Sequence, residues 1–187
     1  MELKSLGIEG AWLALSPVLN DDRGSFREWF KSSEITSSTG IDFSVAQANL
    51  SESKRGVVRG IHYSLASMGQ AKWITCVTGA IKDVVVDIRP KSPTFRKHVV
   101  VDLQSGDGRA ILIGPFLGHG FVSMLDGTTV AYLVSSQFSQ LEEFEINPLD
   151  PNINIEWGLP VNELLLSKKD EIAPNLEERA KQNQLPN

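Results

Sequence analysis

Three side chains in this sequence have the types needed to move a proton at carbon: His62, Lys72 and Tyr132. Taking a proton from a carbon beside a carbonyl requires a base, a cation or donor to hold the enolate oxyanion, and an acid on the opposite face to return the proton. Histidine, with an unperturbed pKa of about 6.5, becomes a competent base once a carboxylate poises it. A protonated lysine can hold the enolate oxygen, and a tyrosine hydroxyl can donate from the other wall. Taken singly, each also has an ordinary role: a satisfied structural histidine, a lysine snorkelling from a strand end, a strand-forming aromatic.

The elements that must position them are short β-branched runs separated by turn chemistry. Strands are predicted at Ala11–Leu15, Ser25–Trp29, Phe43–Asn49, Val57–Tyr63, Lys72–Val77, Ile81–Asp87, Lys97–Leu103, Ala110–Ile113, Gly120–Met124, Thr129–Ser135 and Asn154–Trp157. Turns fall at Asn20–Gly24, Thr78-Gly79, Ser105–Gly108 and Asp126-Gly127. Helix is confined to a piece around Lys31–Thr36 and to the last stretch, where Pro174 opens a turn and Leu176, Ala180 and Leu185 form a thin apolar stripe. So many antiparallel strands in one short chain predict an all-β barrel or double-sheet jelly roll with a single shared core and the ligand pocket inside.

Period-two alternation places Gln47 with Asn49 on one face of a strand. It groups Val58, Gly60 and His62 on a second strand, Lys72, Ile74 and Cys76 on a third, and Val130, Tyr132 and Val134 on a fourth. An unpaired buried amide costs about 2–7 kcal/mol and an unpaired charge more, so an ordinary core avoids such groups. Several of them on inward faces point to a ligand.

With 187 residues and 41% hydrophobic content, the chain suits one domain over residues 1–187. A net charge of −5 disfavours nucleic acid and acidic membranes, which demand a basic surface. Cys76 is the only cysteine, so there is no intramolecular disulfide and no cysteine metal cluster, and a reducing cytoplasm is expected. Cys76 itself reads as a small buried hydrophobe, Val84-Val85-Val86 as core and His98 as a surface or strand-edge residue. No stretch of about 18 apolar residues and no signal-peptide pattern is visible, so neither secretion nor membrane insertion is expected.

Along nearly its full length the sequence resembles the dTDP-4-dehydrorhamnose 3,5-epimerase family. The resemblance runs in order through Asp22–Glu28, Gln47–Ser51, Val58–His62, Gln70-Ala71-Lys72, Gly79–Arg89 (GAIKDVVVDIR), Ser92–Phe95, Gly118–Phe121, Tyr132-Leu133 and Ser167–Asp170. It implies a cupin-type jelly roll, usually a homodimer in which one subunit's N-terminal segment helps complete the other's site, with no metal and no nicotinamide. Carried over by position, it implies His62 as base, Asp170 as its carboxylate partner, Lys72 as stabiliser of the enolate oxygen and Tyr132 as acid. It further implies that Arg23, Phe26, Glu28, Gln47, Ala48, Asn49, Arg59, His119, Glu143 and Lys169 bind the nucleotide-sugar. Arg59 and Lys169 suit a diphosphate, one as a fork and the other as a point charge. The implied reaction is inversion of C3 and C5 of dTDP-4-keto-6-deoxy-D-glucose, giving the L-rhamnose precursor.

Two departures stand out. Where family members often carry a pair of tyrosines after the acid, this chain has Gln137-Phe138, which keeps an aromatic face for stacking on the base but lacks a hydroxyl. The segment Ile113–Leu117 differs from the commoner Ile-Pro-x-Gly form. Other readings remain open at this level: a monofunctional 3- or 5-epimerase, a non-catalytic sugar-nucleotide binder, and a metal cupin. The last would have to use His62, His119 and a distant carboxylate, because position 64 is Ser where a second closely spaced histidine is expected.

Overall fold

The structure is a computed structural model that describes residues 1–186. Its strands are β1 (Glu2–Ser5), β2 (Ala11–Leu15), β3 (Leu19–Asp21), β4 (Gly24–Phe26), β5 (Gln47–Ser53), β6 (Val58–Ser64), β7 (Lys72–Thr78), β8 (Ala80–Val86), β9 (His98–Gln104), β10 (Arg109–Ile113), β11 (Gly118–Ser123), β12 (Thr128–Val134) and β13 (Glu143–Glu145). The helices are short: α1 (Ser32–Thr39), α2 (Lys168–Glu171) and α3 (Leu176–Lys181). A six-stranded sheet ordered β1-β2-β10-β7-β12-β5 packs against a five-stranded sheet ordered β13-β6-β11-β8-β9, while β3 and β4 form a separate hairpin. This is the all-β jelly roll expected from the run of short strands. The predicted turns at Asn20–Gly24, Thr78-Gly79, Ser105–Gly108 and Asp126-Gly127 join the strand pairs β3–β4, β7–β8, β9–β10 and β11–β12.

The single shared core is a correction: the apolar residues form three clusters. Alternation divides them. Ile74 and Cys76 of β7, Ile81 and Val85 of β8, Phe121 of β11 and Val130 of β12 fill the space between the sheets. The opposite face of β8, with Val84 and Val86, is covered by the C-terminal stretch through Ile146, Ile153, Trp157, Leu176 and Leu185. Trp73 of β7 and Leu112 of β10 point the other way and are covered by Ile35 of α1, Phe43, Trp29 and Phe30. Of the stripe expected in the tail, Leu176 and Leu185 are buried, but Ala180 is exposed and Arg179 is buried instead, donating to the Glu145 carbonyl at 2.8 Å.

Several strand predictions need correction for the same reason. Apolar residues that cover an outer sheet face look like strand residues in sequence without joining a ladder. Asn154–Trp157 is not a strand: Ile153 and Trp157 anchor a loop, and Trp157 donates its indole N–H to the Pro148 carbonyl at 2.9 Å. Phe43 and Trp29 are covering residues as well, so β5 begins only at Gln47 and β4 ends at Phe26. The strands β1, β3 and β13 were not expected; all are short, β1 and β3 largely solvent-facing and β13 half-buried at the edge of its sheet. Among the described residues no helix is long and apolar enough to cross a membrane.

Candidate active site

Between the two sheets lies a cavity of about 610 Å³, a size suited to a small-molecule ligand. One wall is the six-stranded sheet, contributing Gln47, Asn49 and Ser51 from β5, Lys72 from β7 and Tyr132 from β12. The register sets Asn49 beside Tyr132, and Gln47 and Lys72 on either side of Val134. The other wall belongs to the five-stranded sheet, with Arg59 and His62 from β6, His119 and Phe121 from β11, and Glu143 from β13. Leu165, Leu166, Ser167, Lys169 and Asp170 close one side, and Phe138 stands at the edge, 63% exposed.

Simple alternation fails in β6. His119 pairs with His62 and Phe121 with Arg59, so the two residues Gly60 and Ile61 oppose only Gly120 and the register shifts. An extra residue in one strand of an antiparallel pair reverses the parity beyond it. Val58 therefore packs in the outer cluster, contrary to the grouping of Val58 with His62, and both Arg59 and His62 line the cavity.

His62 Nε2 donates to Asp170 Oδ1 at 2.7 Å. Asp170 opens no helix itself: Ser167 is the N-cap of α2, accepting from the Asp170 amide at 3.1 Å, which aims the carboxylate at His62. Burial pushes the Asp170 pKa up, but the His62 hydrogen bond and charge outweigh it and hold the group below the usual carboxylate range. Asp170 is therefore an anion that fixes the imidazole and leaves the other ring nitrogen to take a proton. Tyr132 is on the opposing sheet, its pKa raised by burial, so it enters the reaction as a neutral phenol able to donate. Lys72 does not snorkel: it is 8% exposed, and burial lowers its pKa against the carboxylates of Glu143 and Asp83, which favour the ammonium form.

Two site residues escaped sequence reasoning. Asp83 of β8 is fully buried; its Oδ2 accepts from His119 Nε2 at 2.8 Å, its Oδ1 has no partner, and burial raises its pKa against the opposing pull of His119 and Lys72. The signal was present, since a carboxylate sharing a strand face with Ile81 and Val85 must have a partner. Gln70 also lines the cavity, two residues before Lys72 and on the same side.

Other expected residues lie elsewhere in the single chain. Arg23 and Phe26 are on the exposed β3–β4 hairpin, with Arg23 paired to Asp21 at 2.6 Å, and Glu28 pairs with Lys31 at 2.6 Å. Ala48 is exposed on the face of β5 turned away from the cavity, beside Leu133. Lys169 lines the cavity and pairs with Glu145 at 2.8 Å. Cys76 and Val84–Val86 are buried, the Cys76 thiol pushed up to about 11 by burial, and His98 sits half-buried on the edge strand β9. Among the described residues no group of three or more His, Cys, Asp or Glu is placed to hold a metal ion.

Residues 5–178 match the family model described as dTDP-4-dehydrorhamnose 3,5-epimerase. The chain belongs to the dTDP-4-dehydrorhamnose 3,5-epimerase family. It is 44% identical to a dTDP-4-dehydrorhamnose 3,5-epimerase of Mycolicibacterium smegmatis, across 100% of this chain and 91% of the relative. It is also 43% identical to a dTDP-4-dehydro-6-deoxyglucose 3-epimerase of Streptomyces bikiniensis, over 91% of this chain and 87% of that one. A solved epimerase of Legionella pneumophila in complex with dTDP-4-keto-L-rhamnose superposes with a TM-score of 0.92 at 32% identity, covering 99% of this chain and 97% of that one. The two-sheet architecture is thus the cupin-type jelly roll of these epimerases.

Proposed function

We propose that this chain inverts C3 and C5 of dTDP-4-keto-6-deoxy-D-glucose to give dTDP-4-keto-L-rhamnose, with His62 as base and Tyr132 as acid. The observation that carries this reading is the His62–Asp170 pair on one wall of the cavity with Tyr132 on the other. At each carbon the imidazole takes the proton, and the C–H electron pair becomes an enolate whose oxygen the Lys72 ammonium holds. The Tyr132 hydroxyl then protonates the opposite face. Each inversion leaves His62 protonated and Tyr132 ionised, and exchange with water resets both. Proton transfer is redox-neutral, so the reaction requires no cofactor.

Substrate binding follows from the same walls. Arg59 and Lys169 supply positive charge for the diphosphate, Phe138 an aromatic face for the base, and Gln47, Asn49, His119 and Glu143 polar contacts. Arg23, Phe26 and Glu28 lie outside the cavity of their own chain, which supports a homodimer in which the β3–β4 hairpin completes the partner's site. The backbone of Ala48 suits a contact of the same kind from the edge strand β5. One epimerase domain spans residues 1–187, and we assign it to the cytoplasm on the strength of its single, buried thiol.

The test is proton NMR of the substrate in D₂O with the purified protein. Loss of both the C3 and C5 proton signals is expected. Loss of one alone would make this a monofunctional epimerase, and retention of both by folded, dTDP-binding protein would leave a non-catalytic binder.

A further inference from the structure

Phe138 is the most exposed of the large apolar side chains lining the cavity, yet it must present a flat face at a defined place if a base is to stack on it. It is carried by the segment from Ser135 to Glu142, which leaves the six-stranded sheet at the end of β12 and enters the five-stranded sheet at β13. Backbone hydrogen bonds join Ser135 to Ala71, Leu65 to the Glu142 carbonyl, and Glu142 and Glu143 to Ser139, and a pair of glutamine side chains adds the side-chain ties. The Gln47 side-chain oxygen accepts from the Phe138 amide N–H at 3.0 Å, fixing the tip. The base of the loop is held by Gln70, which is 8% exposed. Its Nε2 reaches Ser136 Oγ at 3.1 Å, the Ser136 carbonyl at 3.3 Å and Glu143 Oε1 at 3.3 Å.

Ser136 and Glu143 stand at opposite ends of the loop, so one buried amide group ties its start to its finish. We propose that Gln70 is a positioning residue for nucleotide recognition, clamping both ends of this loop so that Phe138 is preorganised to stack on the base of a nucleoside diphosphate. The inference rests on the nucleotide-sugar reading of the cavity. Preorganisation acts by removing the ordering cost of the loop on binding. Its effect therefore falls on affinity for the nucleotide and not on proton transfer at the sugar.

The experiment compares dTDP binding by titration calorimetry, and steady-state turnover, for the wild type and Gln70→Met, in the Phe138 and the Phe138→Ala backgrounds. Methionine keeps the volume and removes the donor. Stacking on an aromatic ring is worth about ten- to a hundredfold in affinity, and a loosened platform forfeits part of it. The expected result is dTDP affinity about tenfold weaker and KM raised to match, with kcat within about twofold. In the Phe138→Ala background the same substitution changes affinity less than twofold, because the clamp has nothing left to present. Unchanged dTDP affinity in Gln70→Met, an equal loss in both backgrounds, or a fall in kcat as large as the rise in KM would overturn the proposal. A wild-type chain that binds dTDP without exchanging the sugar protons would defeat the catalytic reading and leave this one standing.

Discussion

His62 and Asp170 are 108 residues apart in sequence and 2.7 Å apart in the fold, a pair that strand alternation does not announce and that only the family resemblance implied. The base and the acid separate cleanly in experiment. His62→Asn should lower solvent exchange at C3 and C5 by about 10²–10⁴-fold, the usual worth of a positioned base. Tyr132→Phe should retain part of the exchange, because His62 can still remove and return a proton on its own face, while net inversion stops; NMR of the substrate in D₂O reads both. Asp83 makes a different prediction. Its carboxylate favours the charged form of Lys72, whose pKa burial depresses. If Lys72 must be an ammonium to hold the enolate oxygen, activity is present below its folded pKa and fades as pH rises through it. Asp83→Asn removes the supporting charge, lowers that pKa further and should shift the alkaline limb of the kcat–pH profile to lower pH. An unmoved alkaline limb would separate Lys72 from the limiting ionisation.

At the scale of elements, the decisive feature is the irregularity in β6. Gly60 has φ 121°, and a Cβ there would lie 2.5 Å from Gly120 Cα and 2.6 Å from His119 O. Gly60→Ala thus forces an L-residue into a glycine-only conformation against backbone that cannot yield. A destabilisation of about 3 kcal/mol or more is expected, seen as a Tm lower by about 6–12 °C in calorimetry. Turnover should fall even in the fraction that folds, because Arg59 and His62 lose their shared orientation. A Tm within about 1 °C of wild type would show that the bulge is not sterically enforced. This is also where sequence and structure part company. Alternation correctly turned Gln47 and Asn49, Lys72, and Tyr132 inward, because β5, β7 and β12 are regular ladders. It misjudged β6, since period two carries no sign of an inserted residue, and placed Val58 on the wrong side. It also read Phe43, Trp29 and Trp157 as strand residues, because a side chain that covers a sheet is as apolar as one within it. Asp83 was visible as a carboxylate on the strand face of Ile81 and Val85, but its partner His119 sits on a neighbouring strand that only the sheet order reveals.

At the scale of the molecule, the cavity of one chain lacks four of the residues that the family resemblance assigns to substrate binding: Arg23, Phe26, Glu28 and Ala48. Arg23 and Phe26 project from a hairpin that belongs to neither large sheet, and Leu19 on the same hairpin is 61% exposed. An exposed apolar side chain beside a cation, outside its own chain's cavity, is the arrangement expected of an arm that reaches a second subunit. In a two-fold dimer each arm would enter the other's cavity. Every site would then combine the pocket of one subunit with the hairpin of its partner, and this can be tested without any structure of the assembly. Arg23→Ala and His62→Ala homodimers should both be nearly inactive. When the two are unfolded, mixed in equal amounts and refolded, half of the dimers are mixed. Each mixed dimer has one doubly defective site and one intact site, built from the normal pocket of the Arg23→Ala chain and the normal hairpin of the His62→Ala chain. Activity should return to about a quarter of the wild-type rate. If each hairpin instead served its own pocket, every site in the mixture would carry one defect, and mixing would restore nothing.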